Sequence, residues 1–177
     1  VLLLFTPHND IADVNPATTS DPCRPFFHMR GDSLILDTSF AKRRDFRIRE
    51  AINPLKQHSA LVSLVIERYN AWRLARAQGR AQPAANRLTR EQRMGTAHPD
   101  SVFVANYALC KRLIAQMVSE CKARGIHVEV ASVPLMYEGD EVARARAIDP
   151  TFDPDFFDRD LAALADSNDV RFVPMTG

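Results

Sequence analysis

The first ten residues, Val1-Leu2-Leu3-Leu4-Phe5-Thr6-Pro7-His8-Asn9-Asp10, join an apolar run of strand length to a short polar turn. A run of this kind, closed by turn-forming residues, is typical of a central strand in a parallel sheet. Open α/β sheets bind their ligands just beyond the carboxyl ends of such strands. Asn9 follows the strand, and its amide can donate a hydrogen bond to an oxyanion. Asn-Asp also ends many strands as a plain turn, and the residue types alone favour that explanation.

The rest of the chain predicts helices and strands in alternation. A helix is expected over 100–124, because an apolar residue recurs every three or four positions and Gly125 can end it. A strand is expected over 126–133, a helix over 155–165 and a strand over 170–173. This order predicts an α/β fold with three layers and a mostly parallel sheet. The length of 177 residues fits one domain.

Three further segments lie between the first strand and the 100–124 helix. Alternating residues and Gly31 predict a hairpin inserted over 25–37. Asn53-Pro54 is a favourable helix start, and we expect the helix to run to Gln78 before Gly79. The residues of its expected apolar stripe are Leu55, Leu61, Leu64, Val65, Tyr69 and Trp72. Residues 80–98 are polar and contain Pro83 and Gly95, so we expect an irregular, exposed excursion.

Composition excludes several classes of protein. Hydrophobic residues make up 46% of the chain, charged residues 25%, and the net charge is +1, which does not indicate a nucleic-acid partner. Basic residues cluster over 42–49 and 68–93, where we expect solvated helical faces. Three cysteines make no disulfide framework, and no Cys/His cluster has the spacing of metal ligands. No apolar segment has the length of a transmembrane span.

A conspicuous tetrapeptide, Gly31-Asp32-Ser33-Leu34, spells the GDSL motif of serine esterases. As a nucleophile, Ser33 would need a sharp turn, a histidine base and oxyanion donors nearby. In the GDSL enzymes this turn leads from a buried strand into a helix, whereas here the next residues predict a strand. A hairpin turn explains the same letters without catalysis.

The chain resembles the SGNH hydrolase superfamily through other residues. The apolar run ending in Asn9-Asp10, followed by Ile11-Ala12-Asp13, is similar to the strand and Asn-Asp segment of that family. Further similarities are the hairpin over 25–36, the long helix after it, and the helix entry at Asp153-Pro154-Asp155-Phe156-Phe157-Asp158. Together these segments cover most of the chain.

The resemblance implies a flavodoxin-like three-layer α/β/α fold and an ester substrate, with no cofactor or metal. It also implies that Asn9 is a side-chain donor of the oxyanion hole, although Pro7 stands where the family commonly has glycine. The nucleophilic serine of the family precedes this segment, and its Asp-x-x-His segment follows the last strand. We therefore expect residues 1–177 to form a single partial domain, incomplete at both ends, with its Ser, His and Asp outside this chain.

Two alternatives remain open. The chain is a complete GDSL esterase if Ser33 is its nucleophile. It is a non-catalytic α/β interaction domain if it keeps the fold without the chemistry, and the polar excursion with its arginine-rich neighbour then forms a partner surface. The substrate expected under either hydrolase hypothesis is a small-molecule, carbohydrate or lipid ester.

Overall fold

The computed structural model describes residues 1–78, 87–133, 137 and 140–175. These residues form an α/β fold of short strands and longer helices. In chain order the elements are β1 (Leu2–Phe5), α1 (Pro7–Asp13), β2 (Phe26–Arg30), β3 (Ser33–Asp37), a 3-10 turn (Ser39–Lys42), α2 (Arg44–His58), α3 (Ala60–Gln78), α4 (Arg90–Met94), α5 (Ser101–Ala123), β4 (Glu129–Ser132), α6 (Glu141–Ile148), α7 (Phe156–Ser167) and β5 (Arg171–Pro174).

The central sheet has three parallel strands in the order β1-β4-β5. β1 pairs with β4 so that Phe5 lies beside Ser132, and the carboxyl ends of both strands reach the same edge. The predicted parallel α/β arrangement is therefore confirmed. β4 is shorter than predicted because the N–H of Ile126 bonds to the carbonyl of Cys121 and, with Gly125 at φ 70°, closes α5.

One face of the sheet carries the hydrophobic core. Phe5 packs with residues of α5 and α7. Val130 of β4 and Val128, just before this strand, pack with Val118 and Ala165 of the same two helices. The two clusters share Ile114 and Phe172 at their margins. The predicted helices over 100–124 and 155–165 are confirmed as α5 and α7, since both supply the apolar faces that cover this side of the sheet.

The opposite face of the sheet is more open. Side chains alternate along a strand, so Leu2 and Leu4 point away from the face that Leu3 and Phe5 share. Leu2 is 55% exposed and Leu4 is 50% exposed. Burial of one face against α5 and α7 is therefore established, while the third layer remains a prediction.

The predicted polar turn after β1 is wrong. Pro7 occupies the first turn of α1, which runs to Asp13. Backbone N–H groups in the first turn of a helix have no acceptor within the helix, so a proline there loses no hydrogen bond. The φ angle of proline is also already helical.

The predicted helix start at Asn53-Pro54 is also wrong. α2 begins at Arg44 and contains Pro54, and the helical path breaks at Ser59, whose φ of −137° and ψ of 109° are extended. A proline within a helix removes one backbone hydrogen bond, and α2 ends four residues beyond it. α3 then continues to Gln78; the predicted stop at Gly79 lies outside the described residues.

The predicted stripe on this helix is not buried. Every member is at least half exposed, from Leu64 at 50% to Leu61 at 70%, and the described residues between 27 and 93 contribute no buried apolar side chain.

The hairpin over 25–37 is confirmed as β2 and β3. The predicted irregular excursion contains α4, started by a capping box between Thr89 and Gln92, while residues 79–86 lie outside the described part.

Gly95 joins α4 to the segment before α7 through close backbone packing. It is buried, and its carbonyl accepts the N–H of Asp153 at 2.8 Å. A Cβ atom at this position would lie 2.4 Å from the backbone oxygen of Asp153. Because that oxygen belongs to the main chain, it cannot move without disturbing the entry to α7.

We expect Gly95→Ala to lower the free energy of unfolding by about 1–3 kcal/mol, the usual cost of overpacking. Urea unfolding followed by circular dichroism measures the change. Gly125→Asn is the matched control, since the added side chain meets open space and asparagine tolerates this backbone conformation. Equal unfolding midpoints for both variants would contradict the packing argument.

Candidate active site at the carboxyl edge of the sheet

The junction between β1 and α1 is held by a compact set of hydrogen bonds. The carbonyl of Thr6 accepts the N–H groups of Asn9 at 3.0 Å and Asp10 at 2.8 Å. The carboxylate of Asp10 accepts the N–H of Thr6 at 2.7 Å. Pro7 and Ile11, four residues apart on one side of α1, are buried. These contacts fix the first turn of α1 at the end of β1.

Asn9 lies on the open side of that turn. It is exposed and is the third residue of α1, so it is part of a helix rather than the strand-ending turn. Its side-chain amide makes no hydrogen bond within the part of the chain that the structure describes. The amide therefore stands at a helix N-terminus, which carries partial positive charge, and can donate to a bound oxyanion.

Asp10 is a polar group placed against the core. Partial burial raises its carboxyl pKa above the ordinary range, the N–H of Thr6 opposes the rise, and the charge of Asp13 adds to it. Burial and the Asp10 charge raise the pKa of the neighbouring Cys110 thiol to about 12. Cys110 is therefore protonated at neutral pH, and its thiol donates to the carbonyl of Asp10 at 3.5 Å.

A cleft of about 320 Å³ opens beside β1. Apolar side chains dominate its walls, and Asp10, Asp13 and Arg24 provide the charged groups. The guanidinium of Arg24 is engaged by neighbouring side chains. It forms an ion pair with the Asp13 carboxylate at 2.7 Å and donates to the hydroxyl of Thr19 at 2.9 Å. The volume is at the lower end of the range of small-molecule pockets.

A second polar pair lies at the end of β4 and was missed from the sequence. Ser132 is completely buried, and its hydroxyl donates a hydrogen bond to the carboxylate of Asp158 in the first turn of α7. Ser132 is adjacent to Phe5 in the sheet register, so this pair anchors the same edge that carries Asn9. Ser132 lies near the end of a predicted strand and Asp158 in a predicted helix entry, but nothing in the sequence pairs two residues 26 positions apart.

The other candidate, Ser33, lies elsewhere in the fold. It opens β3 opposite Arg30, after a turn in which Gly31 has φ 60°. Ser33 is exposed, and no histidine of the described residues hydrogen-bonds to it. The turn is tied to α5, because Arg112 donates to the carbonyl of Asp32 at 3.0 Å. Ser33 is thus on a hairpin strand and not in the strand-to-helix turn of GDSL enzymes.

No histidine side chain within the described ranges hydrogen-bonds to Ser33 or Asn9. His8 is exposed one residue before Asn9, and His127 is exposed, with Nε2 at 3.7 Å from the Glu129 carboxylate. Among the described residues, no group of three or more His, Cys, Asp or Glu side chains is placed to hold a metal ion. None of the helices in that part of the chain has the length and apolar character needed to cross a bilayer.

The chain matches no protein-family model, no curated protein sequence and no solved structure. The site is therefore characterised by its own geometry. An unengaged Asn9 amide lies in the first turn of α1, after the strand end that pairs with Ser132. The apolar cleft is lined by Asp10 and Asp13 of the same helix and does not include Asn9.

Proposed function

We propose that this chain is part of an SGNH-type serine ester hydrolase and that Asn9 donates a hydrogen bond to its oxyanion. The observation that carries the proposal is the position of Asn9. Its amide is exposed at the carboxyl end of a parallel strand, in the first turn of a helix, and is not used by the fold. Open α/β sheets place ligands at this edge.

In this proposal the chemistry is acyl transfer from an ester to water. The carbonyl oxygen of the ester gains negative charge as the nucleophile attacks, and the Asn9 amide binds that charge most strongly in the transition state. The Thr6–Asp10 hydrogen bond holds the first turn of α1 so that the amide needs no reorganisation. In this proposal the nucleophilic serine and the His–Asp pair that activates it are residues outside this chain. No cofactor takes part.

The three-layer flavodoxin-like arrangement belongs to the same proposal. The half-exposed Leu2 and Leu4 support it, because a continuous apolar strand is typical of a sheet covered on both faces. A further layer against this face would remove both leucines from water.

A non-catalytic interaction domain is the second candidate, and one observation favours it. The large apolar side chains on α3, including Tyr69 at 56% and Trp72 at 54% exposure, are uncommon on a surface without a partner. The two candidates differ in their reaction with a serine-directed phosphonate, which labels a hydrolase and leaves an interaction domain unmodified.

We expect Asn9→Ala to lower kcat for a short-chain p-nitrophenyl ester by about 10²–10³, with little change in KM, because the lost donor acts mainly in the transition state. The full natural chain is used, and initial rates are measured across substrate concentrations. Asn70→Ala, at an exposed asparagine of α3, is the matched control and should retain full turnover. Full activity in Asn9→Ala, or no ester hydrolysis by the unsubstituted protein, would overturn the proposal.

Ser33→Ala separates the two hydrolase hypotheses. We expect unchanged kcat and KM, because Ser33 is on an exposed hairpin with no histidine hydrogen-bonded to it among the described residues. The same ester assay and phosphonate labelling provide the measurement. Complete loss of both activities in a folded Ser33→Ala protein would instead identify a GDSL enzyme that uses this serine.

A further inference from the structure

The helix pair α2–α3 differs from the rest of the chain in charge. Residues 42–78 contain nine Lys and Arg against three Asp and Glu, a net charge of +6, while the whole chain is only +1. The remaining residues therefore carry −5. The guanidinium of Arg49 forms an ion pair with the Asp21 carboxylate, with Nη1 2.7 Å from Oδ2. This ion pair connects α2 to the segment that follows α1. The net charge of only +1 for the whole chain therefore includes a strongly basic helical unit.

α3 presents its large apolar side chains on the same unit. At 100° per residue, five of them fall within an arc of about 140°. These residues form what we call the α3 face: Leu61, Leu64, Val65, Tyr69 and Trp72. Each is at least half exposed. Val62 and Ile66, on the adjoining side, are half-buried, and α3 contacts α2.

Two arginines stand within the arc of the α3 face. Viewed down the helix axis, Arg68 lies between Leu64 and Leu61, and Arg76 lies between Val65 and Tyr69. Along the axis, Arg76 is one turn after Trp72. The guanidinium carbon of Arg76 is 5.1 Å from the centre of the Trp72 ring, and the Tyr69 and Trp72 rings are 6.1 Å apart. Apolar, aromatic and cationic groups therefore project in one direction.

We propose that the α3 face binds an anionic lipid surface. Helices that lie in the membrane interface combine leucine and tryptophan with basic residues, which usually occupy a separate polar face. On α3 the two arginines lie within the apolar arc, where their long side chains can extend to the headgroups. The apolar side chains enter the boundary between headgroups and acyl chains, and the arginines remain among the anionic headgroups. A polynucleotide is a poorer match, because phosphate contacts use the arginines and leave Leu61, Leu64 and Val65 in water.

This proposal does not depend on ester hydrolysis, and Trp72 provides its direct readout. Trp72 is the only tryptophan of the 177 residues. The full chain is mixed with vesicles of phosphatidylcholine alone or with about one quarter phosphatidylserine, and flotation and tryptophan emission are measured. We expect flotation and a blue shift only with the anionic vesicles, both weakened by added salt.

The charge contribution is tested with Arg68→Gln/Arg76→Gln. We expect partitioning about thirtyfold weaker than that of the unsubstituted chain, since each basic residue near an anionic surface contributes about 1 kcal/mol. Arg90→Gln/Arg124→Gln removes the same charge from exposed positions outside α2–α3 and should partition only slightly less.

The apolar contribution is tested with Leu61→Ser/Val65→Ser, which keeps Trp72 as reporter. We expect partitioning to fall by about tenfold or more, because both side chains are buried on binding. Leu36→Ser/Val102→Ser is the matched control, as each of these residues is 50% exposed outside the α3 face. Circular dichroism verifies that every variant retains its helices.

Four results would overturn the proposal. The first is flotation that is absent or equal with neutral vesicles. The second is unchanged partitioning of the α3-face variants. The third is tighter binding to a single-stranded polynucleotide than to anionic vesicles. The fourth is a concentration-dependent dimer with a blue-shifted Trp72 in the absence of lipid, which would identify a second copy of the chain as the partner.

Discussion

The packing of Phe5 against α5 and α7 is the contact on which the rest of the structure depends. Its ring centre lies 5.8 Å from that of Tyr107 and 6.5 Å from that of Phe157. Aromatic pairs at such distances combine a large buried area with a preferred geometry. Phe5 is also the last residue of β1, so this contact determines where α1 begins. The position of Asn9 therefore follows from the packing of the core.

Local signals explain what the sequence predicted correctly. α5 begins where the Asp100 carboxylate accepts the N–H groups of Val102 and Phe103, and it ends where Gly125 adopts a positive φ. The hairpin follows in the same way from the turn at Gly31. In each case a side chain or a glycine satisfies backbone groups within a few residues, so neighbouring positions carry the whole signal.

Features that depend on distant residues were not predictable in the same way. Asn53-Pro54 has the form of a helix start, yet α2 already begins at Arg44. The Ser132–Asp158 hydrogen bond joins residues 26 positions apart, and only the fold brings them together. Helical periodicity likewise shows which residues share a face and not whether that face is covered. The stripe on α3 has the spacing of the buried stripe on α5 but lacks a strand like β4 against it.

The arginines on α3 decide which kind of surface can cover this stripe. The open side of the sheet, with Leu2 and Leu4, is another apolar surface among the described residues. Packing α3 against Leu2 and Leu4 would take Arg68 and Arg76 out of water beside apolar side chains. Burial of a guanidinium without a paired carboxylate costs several kcal/mol. An anionic lipid interface removes this cost, because its headgroups pair with both arginines while the apolar side chains enter the layer below. The arginines that oppose burial in a protein core thus favour binding at a membrane surface.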